Sequence, residues 1–331
     1  MRRVNTESEL ESAVRDASSE AERAFKNSEV YIEKVIENPR HIEIQVLGDK
    51  HGNLVHLGER ECSIQRRHQK VIEECPSPLV AVHPEMRAAM GAAALKIARA
   101  AGYYNAGTAE FLVDSNRNFY FLEMNTRLQV EHPVTELVTG LDLVQLQLRI
   151  ACGEPLPFHQ DDVRWRGSAI ECRIYAEDPD NQFLPSPGTI QQLSEPGGPG
   201  VRLDSGVYPG WTVPIDYDPL LAKLAVWSES RASSIGRMLR ALDEYAVTGI
   251  RNNIGFFRDI LRDECFVDAY LHTGFIEEFI KRRPSLESDS DVEQIAALVA
   301  AKHNLNGARD TRPQTAEASR WQSLGRRGQL R

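Results

Sequence analysis

The stretch FLEMNTRLQVEHPVTE, residues 121–136, gathers acidic, amide, guanidinium and imidazole groups within sixteen positions. Its polar members are Glu123, Asn125, Arg127, Gln129, Glu131, His132 and Glu136. A segment that only had to fold would not need this concentration of charge. The elements around the stretch determine which chemistry such a set of side chains can perform.

Two runs, 107–114 and 118–125, flank the polar turn SNR and predict a β-hairpin. In that hairpin Glu110 and Glu123 lie opposite or diagonal on one sheet face, where like charges destabilise the strand pair. Asn125 projects to the same side if the strand continues. Carboxylate and amide oxygens suit a hard divalent cation, so we expect a metal bridged to a phosphate here. A solvated strand pair with lysines nearby is the alternative.

A second polar segment, ERECSIQRRHQKVIEECP, covers residues 59–76. It carries Arg60, Arg66, Arg67, His68 and Lys70 beside Gln65 and Gln69. In a chain with a formal net charge of −9 such a cluster fits anion binding, because guanidinium and ammonium groups hold phosphate or carboxylate through charge-assisted hydrogen bonds. A surface charge run is the alternative.

Arg127, Gln129 and Glu131 alternate with other residues, so in an extended chain they project to one face. They would place a cation, an amide and a carboxylate around a small polar ligand. The carboxylate can then act as a general base if the ligand must lose a proton. His132 precedes a proline, which predicts an extended backbone; it is a structural hydrogen-bonder or a catalyst, and the same alternatives apply to His41.

These features together indicate either a Mg²⁺-bridged, anion-handling enzyme site or a binuclear metallohydrolase. The second class usually needs more histidine and aspartate ligands than this sequence offers. The negative net charge argues against a nucleic-acid binder. No apolar run approaches the roughly 18 residues that cross a bilayer. Five cysteines without a CxxC pair predict free buried thiols in a reducing, cytoplasm-like compartment.

The pattern of the chain predicts an α+β protein. We expect helices over residues 6–26, 84–103, 141–153, 231–247 and 292–303. Near-alternation in EVYIEKVI, HIEIQVLGD and NLVHLGER predicts an antiparallel meander over residues 29–75. From about residue 155 the texture changes to short strands with Pro and Gly turns, which predicts a domain boundary there. Beyond residue 283 the chain is polar and turn-rich, typical of a linker.

Read together, these stretches resemble the biotin carboxylases, ATP-grasp enzymes that occur as separate proteins or as the leading part of acyl-CoA and pyruvate carboxylases. The resemblance runs from Met1 to about Arg283. It is carried, in the family's order, by EKVIENPRHIEIQV, GERECSIQRRHQKVIEE, AGTAEFL, FLEMNTRLQVEHPVTE, GSAIECRIYAEDP and FLPSPG. It implies a partial ATP-grasp domain of antiparallel sheets with helices at 1–154. A biotin carboxylase C-terminal domain at 155–283 and a tail at 284–331 follow.

The resemblance also implies roles for individual residues. Those implied to contact ATP are Glu33, Lys34 and Ile36 at the adenine, and His41, Gln65 and His68 at the ribose and phosphates. Those implied to bind Mg²⁺ or Mn²⁺ are Glu110, Glu123 and Asn125. Those implied to form the bicarbonate pocket are Lys70, Arg127, Gln129 and the backbone of Val130. Glu131 matches the general base that takes the proton of bicarbonate, and Arg173 matches the residue that stabilises the biotin enolate.

Two departures from the family shape the expectation. Family members begin with a Rossmann-like domain, two ATP-contacting lysines and a glycine-rich loop, and this chain starts just after that loop. It also has no Met-Lys-Met biotin-attachment sequence, so the biotin must sit on a separate carrier. We therefore expect a carboxylase fragment of an acyl-CoA carboxylase that turns over poorly without the missing domain. A non-catalytic remnant that keeps the dimer and carrier-docking surfaces is the alternative, and another ATP-grasp carboxylate–amine ligase is a more distant one.

The implied partners are a biotin carboxyl carrier, a carboxyltransferase, the missing N-terminal domain and a second copy of the chain. We expect neither nucleic acid nor membrane among them. The expected compartment is the cytoplasm, or the mitochondrial matrix in a eukaryote.

Overall fold

The computed structural model describes residues 2–283 and Leu298. Met1–Lys281 forms one compact unit, and Arg282–Arg331 is grouped as a second. The helices are α1 Glu7–Phe25, α2 Pro78–Ala81, α3 Pro84–Ala100, α4 His132–Thr139, α5 Leu143–Ala151, α6 Arg231–Glu244, α7 Ile254–Arg262, α8 Glu264–Val267 and α9 Phe275–Arg282. The strands are β1 Arg40–Gly48, β2 Leu54–Arg66, β3 Gln69–Cys75, β4 Asn105–Val113, β5 Phe119–Asn125, β6 Ser168–Tyr175, β7 Glu177–Asp178, β8 Leu184–Pro185, β9 Gly188–Thr189, β10 Gln192–Ser194, β11 Val201–Ser205, β12 Thr212–Val213, β13 Leu220–Ser228 and β14 Ala246–Thr248.

An eight-stranded antiparallel sheet positions the site, in the order β11-β13-β6-β3-β2-β1-β4-β5. Strand β1 of this sheet buries side chains on both of its faces. Ile42, Ile44 and Val46 point to one face and join the core beneath α3. His41 and Glu43 alternate with them and are also buried, so the other face is a buried polar surface.

Short helix α4 covers that polar face of the sheet. Pro133 lies in its first turn, where a fixed φ suits a helix start, and Gly140 ends it at φ 74°. Val134 and Val138 pack on Cys75 of β3 and Ala169 of β6. The opposite face of β6 and β13 packs against α6 and α7, through Leu242 and Phe257 among others. Helix α4 therefore closes the polar face over the middle of the sheet.

Most of the predicted elements are confirmed. The helices expected over 6–26, 84–103, 141–153 and 231–247 are α1, α3, α5 and α6, and the hairpin is β4–β5. The α+β class is also confirmed. The first strand of the meander was wrong, because residues 27–36 adopt no regular secondary structure. Both edges of β1 are taken by β2 and β4, so alternation in EVYIEKVI finds no edge of β1 to pair with.

The boundary near residue 155 stays a prediction, although one sheet runs across it because β3 pairs with β6. The helix predicted over 292–303 lies outside the described residues except for Leu298. All five cysteines are free, as expected, but only Cys62, Cys75 and Cys172 are buried; Cys265 is half-buried and Cys152 is exposed. Within residues 2–283, no helix is both long and apolar enough to cross a bilayer.

Candidate active site

Lys70, at the start of β3, lies at the centre of a group of three carboxylates. Its Nζ donates to Glu43 Oε2 at 2.5 Å, to Glu131 Oε1 at 2.7 Å and to Glu110 Oε1 at 2.8 Å. Burial disfavours the charged ammonium, but the carboxylates outweigh it and raise the pKa of Lys70 above its ordinary value. Lys70 is therefore a permanent cation shared by residues from β1, β4 and the start of α4.

A fully buried arginine, Arg60, holds two members of the same cluster in place. Arg60 on β2 donates to Glu43 Oε1 at 2.6 Å and to Gln129 Oε1 at 2.8 Å. Its remaining acceptors are Gln45, Thr108 and Thr135. Burial alone would raise the pKa of Glu43, but Lys70 and Arg60 lower it to about 2. Glu43 is thus a carboxylate at every ordinary pH.

The hairpin brings the two expected acidic residues together. Glu110 and Glu123 are direct partners across β4 and β5, as the sequence predicted. Asn125 Nδ2 lies 3.0 Å from Glu110 Oε1 and 3.4 Å from Glu123 Oε1. Glu110 is buried whereas Glu123 is exposed. Glu110 therefore lies in the buried cluster, and Glu123 lies on its solvent-exposed side.

Glu110 is held from three sides. Gln129 Nε2 donates to its Oε1 at 2.7 Å, and His41 Nε2 lies 3.0 Å from its Oε2. Gln65 Nε2 lies 2.8 Å from His41 Nδ1. Because an amide nitrogen donates, His41 accepts at Nδ1 and carries its proton on Nε2. Burial raises the pKa of Glu110, but the hydrogen bond from His41 and the charge of Lys70 lower it well below its usual range.

The donor set of this hairpin fits a magnesium ion. Glu110, Glu123 and Asn125 offer carboxylate and amide oxygens, the ligands that Mg²⁺ takes. Oxygen and nitrogen of an asparagine amide exchange by a flip, so Asn125 can turn its oxygen toward a cation. His41 and Glu43 bring further ligand atoms within 4.8 Å of those of Glu110. That second group contains a histidine nitrogen, which suits Mg²⁺ less well.

Glu131 joins the two halves of the sheet. It is the N-cap residue of α4 and is 1% exposed. Arg173 on β6 donates to its Oε2 at 2.9 Å, while Lys70 bonds its Oε1. Arg173 Nε also donates to Glu73 Oε1 at 2.6 Å, and the nearby carboxylates raise the pKa of Arg173 despite its burial. Three residues far apart in sequence thus meet at one carboxylate.

The extended arrangement expected for residues 127–131 was wrong. The chain turns at Glu131, whose φ and ψ are −82° and 11°, and His132 begins α4. His132 Nδ1 lies 2.8 Å from the carbonyl oxygen of Gln129, which favours this turn. Gln129 and Glu131 are therefore brought together, whereas Arg127 is exposed and donates to the carbonyl oxygen of Leu128 at 3.3 Å.

The structure separates the cations of the basic segment 59–76, and their binding of an anion stays a prediction. Arg60 is buried, and Arg66 bonds the Glu177 carboxylate at 2.6 and 2.7 Å. Arg67 and His68 are exposed in the β2–β3 turn with positive φ. The reason is alternation along β2 and the turn after it, which send neighbouring cations in different directions.

The residues implied for ATP fall into two groups. His41 and Gln65 are buried beside Glu110. Glu33 and Lys34 are exposed and Ile36 is half-buried, all within the irregular segment 27–36. Lys34 Nζ lies 5.5 Å from the centre of the Tyr120 ring on β5. His68 is exposed at the β2–β3 turn, so the structure does not bring these side chains into one cluster.

Sequence reasoning missed several members of the cluster. Glu43, Glu73 and Lys223 are among them; Lys223 Nζ donates to the carbonyl oxygen of Val130 at 3.0 Å. The signal for Glu43 was present, because it alternates with Ile42 and Ile44 on the same strand as His41. Lys223 gave no such signal, since its contact depends on how β13 pairs with β6.

Two family models match the chain. Carbamoyl-phosphate synthase L chain, ATP binding domain, covers residues 1–159, and Biotin carboxylase C-terminal domain covers residues 171–278. Together they include the hairpin, the Lys70 cluster and Arg173.

Curated relatives and solved structures agree with these matches. Biotin carboxylase of a Nostoc species is 53% identical over 85% of this chain and 62% of the relative. Biotin carboxylase 1 of Bacillus subtilis is 51% identical over 84% of this chain and 62% of the relative. The chain thus spans less than two thirds of the length of these relatives.

Among solved structures, the dimeric biotin carboxylase domain of Hydrogenobacter thermophilus 2-oxoglutarate carboxylase, in complex with MgADP and bicarbonate, aligns with a TM-score of 0.79. It is 48% identical, over 84% of this chain and 61% of that one. Because the sequence matches extend over both modules and the fold agrees, this chain belongs to the biotin carboxylase family.

Proposed function

We propose that this chain carries the bicarbonate- and biotin-facing part of a biotin carboxylase site. The reaction is the ATP-dependent carboxylation of carrier-bound biotin. Bicarbonate attacks the γ-phosphate of ATP to give carboxyphosphate and ADP. Carboxyphosphate then breaks down to CO₂ and phosphate, and phosphate removes the proton from the biotin ring nitrogen that attacks CO₂.

The observation that carries the proposal is the double hydrogen bond at Glu131. Lys70 donates to one carboxylate oxygen and Arg173 to the other, at 2.7 and 2.9 Å. The residue proposed as general base therefore touches both the cation proposed for bicarbonate and the cation proposed for the biotin enolate. Such contacts support the proposal, because a sequential reaction needs both chemical steps near one another.

Bicarbonate would lie between Lys70, Gln129 and the backbone of Val130, with Arg127 supplied from the exposed bend. Lys70 and Arg127 neutralise its charge, and Glu131 accepts its proton as the oxygen attacks phosphorus. Gln129 is fixed through Arg60 and Glu110, so its amide is oriented before the ligand arrives. A preorganised polar pocket of this kind loses little energy to rearrangement during the reaction.

Glu110, Glu123 and Asn125 would hold the magnesium ion. The ion, when bound, neutralises phosphate charge in the nucleotide and orients the phosphate that is attacked. His41 steadies Glu110 from the other side through its Nε2. Manganese offers the same chemistry to the same oxygens.

Nucleotide binding involves both the buried and the exposed groups. His41 and Gln65 would face the ribose and phosphates from the sheet, with His68 at the β2–β3 turn. Glu33, Lys34 and Ile36 would contact the adenine. Because the segment holding those three pairs with no strand in the described part of the chain, ATP itself would complete its order.

In the second half-reaction, the Arg173 guanidinium stabilises the negative charge that develops on the biotin ring oxygen. The biotin comes on a separate carboxyl carrier, and a carboxyltransferase passes the carboxyl group to the final acceptor. A second copy of the chain is a further partner, since the Hydrogenobacter thermophilus relative is a dimer. We place the activity in the cytoplasm, or in the mitochondrial matrix of a eukaryote.

The test is ADP release from Mg-ATP with bicarbonate and free biotin. The chain is assayed alone and with a separately expressed N-terminal family domain, and omission of bicarbonate is the control. We expect bicarbonate- and biotin-dependent release with the added domain, and poor release without it. No bicarbonate-dependent release in either arm, from a folded protein, would overturn the proposal and favour the non-catalytic remnant.

A further inference from the structure

A second pair of carboxyl groups lies beneath α4, away from the metal hairpin. Glu73 of β3 and Glu171 of β6 are direct partners across the two strands, and both are 0% exposed. Neither has a role in the function proposed above. Directly opposed residues bring their Cβ atoms to roughly 5 Å, so their carboxyl groups are neighbours.

The hydrogen bonds of this pair are incomplete in an informative way. Glu73 Oε1 accepts from Arg173 Nε at 2.6 Å. Glu73 Oε2 and both carboxyl oxygens of Glu171 find no hydrogen-bond partner among residues 2–283. Two adjacent buried carboxylates in that condition would be very unfavourable, because Arg173 compensates only one of the two charges and both side chains are buried. A single proton shared by the two carboxyl groups removes one negative charge. It also gives a hydrogen-bond donor to a carboxyl oxygen that otherwise has none.

The surrounding cations form hydrogen bonds with groups other than Glu171. Lys70 of β3 bonds three other carboxylates, and Arg173 of β6 is shared between Glu73 and Glu131. Lys223 of β13 donates to the Val130 carbonyl and lies 3.2 Å from Asp204 Oδ2. The remaining facing group, Glu131 at the start of α4, is itself an acid.

The electrostatics agree with the geometry. Burial raises the pKa of Glu171 well above its ordinary value, and the neighbouring Glu73 raises it further. Burial likewise raises the pKa of Glu73, to about 7. Glu73 accepts a hydrogen bond from the Arg173 guanidinium, whereas Glu171 accepts none within residues 2–283, so the proton belongs on Glu171.

We propose that Glu171 carries a proton at neutral pH and donates it to Glu73, and that this pair positions Arg173. A singly protonated pair keeps one negative charge, enough to hold Arg173 Nε while its Nη2 stays on Glu131. A second negative charge would compete with Glu131 for the same guanidinium. The importance of this positioning for turnover rests on the function proposed above, whereas the proton on Glu171 does not.

The first test is the infrared spectrum of the whole chain at pH 7, read in the carbonyl-stretch region of protonated carboxylic acids. We expect a band that is lost in Glu171→Gln and unchanged in Glu229→Gln, a matched change at an exposed carboxylate. Absence of the band from the unaltered protein, or its persistence in Glu171→Gln, would overturn the proposal. This measurement needs no turnover, so an inactive protein with the band would count against the proposed function alone.

The second test separates positioning from packing. Glu171→Gln keeps a donor for Glu73, whereas Glu171→Leu does not. With the N-terminal family domain added, we expect biotin carboxylation by Glu171→Gln to stay within about twofold of the unaltered protein. We expect kcat of Glu171→Leu to fall about tenfold with the KM for ATP unchanged, the size of one lost buried hydrogen bond. Equal losses in the two variants would contradict a positioning role.

Discussion

The cluster around Lys70 and the segment at residues 27–36 belong to the same proposed site but are built in different ways. In the cluster, every carboxylate around Lys70 is buried and held by it at 2.5–2.8 Å. In the segment, Glu33 and Lys34 are exposed, and no strand within residues 2–283 pairs with them. The protein therefore preorganises the groups proposed to handle bicarbonate, whereas the proposed adenine contacts are left to the ligand to order.

The difference follows from what each chemistry needs. A base and its cations must be held within a fraction of an ångström, so they lie on strands and at a helix start. Adenine recognition tolerates a segment that orders on binding. If this comparison is right, substitutions in the cluster should disturb turnover or folding strongly, whereas those in the segment should disturb nucleotide binding alone.

The largest effect is expected at Glu131. Glu131→Gln keeps the shape of the side chain but removes the proposed proton acceptor. We expect bicarbonate-dependent ADP release to fall about 100- to 10,000-fold, the usual contribution of a positioned base. The assay is steady-state ADP release with the N-terminal family domain added. A loss smaller than about tenfold in a folded variant would remove Glu131 from the role of base.

Arg60 should control stability more than any exposed arginine. Arg60→Met leaves Glu43 with one cation fewer in a fully buried position, so the free energy of unfolding should fall by about 3–5 kcal/mol. Arg166→Met is the matched control, because that arginine is exposed and pairs with exposed Glu229. Its unfolding free energy should change by less than about 0.5 kcal/mol. Similar urea midpoints for both variants would contradict the expected difference between the buried and the exposed arginine.

Acid should act on the cluster through Glu43. Its pKa is about 2 in the folded protein, against an ordinary value of 4.5. A lowered carboxyl pKa stabilises the fold above the unfolded value, and this stability is lost as pH falls from 4.5 through 2. The difference of 4.5 − 2 is worth about 3 kcal/mol. Urea unfolding between pH 6 and pH 3 measures about 2 kcal/mol of this, the part lost from pH 4.5 to pH 3, and Glu43→Gln should flatten the dependence. An unchanged slope in that variant would argue against this assignment.

The smallest structural effect is expected in the irregular segment. Lys34→Ala removes an exposed side chain that contacts the Tyr120 ring at 5.5 Å. The unfolding free energy should shift by less than about 0.5 kcal/mol. Nucleotide affinity, measured by calorimetry with Mg-ADP and the N-terminal domain added, should weaken. Unchanged affinity would remove Lys34 from the proposed adenine contacts.

Local patterns in the sequence predicted the parts of the site that lie within one hairpin. Glu110 and Glu123 were expected opposite each other because turn length fixes register, and they are. Contacts between distant strands could not be predicted in that way. Arg173 reaches Glu131 because β6 pairs with β3, a pairing that no short-range pattern contains.

Two local expectations failed for the same physical reason. EVYIEKVI alternates like a strand but has no edge of β1 to join, and His132 lies before a proline yet starts a helix. In both cases the surrounding chain overrides the local preference. The buried ion pair of Glu73 was missed because its contact with Arg173 depends on the pairing of β3 with β6.

In the proposed reaction, bicarbonate attacks ATP at Glu131 to form carboxyphosphate. The most direct measurement follows ¹⁸O from labelled bicarbonate into inorganic phosphate, using the chain with the added N-terminal domain, Mg-ATP and biotin. We expect one labelled oxygen in each phosphate that is released, and we expect labelled phosphate to be lost in Glu131→Gln. Unlabelled phosphate, or no bicarbonate-dependent phosphate from the folded protein, would contradict it.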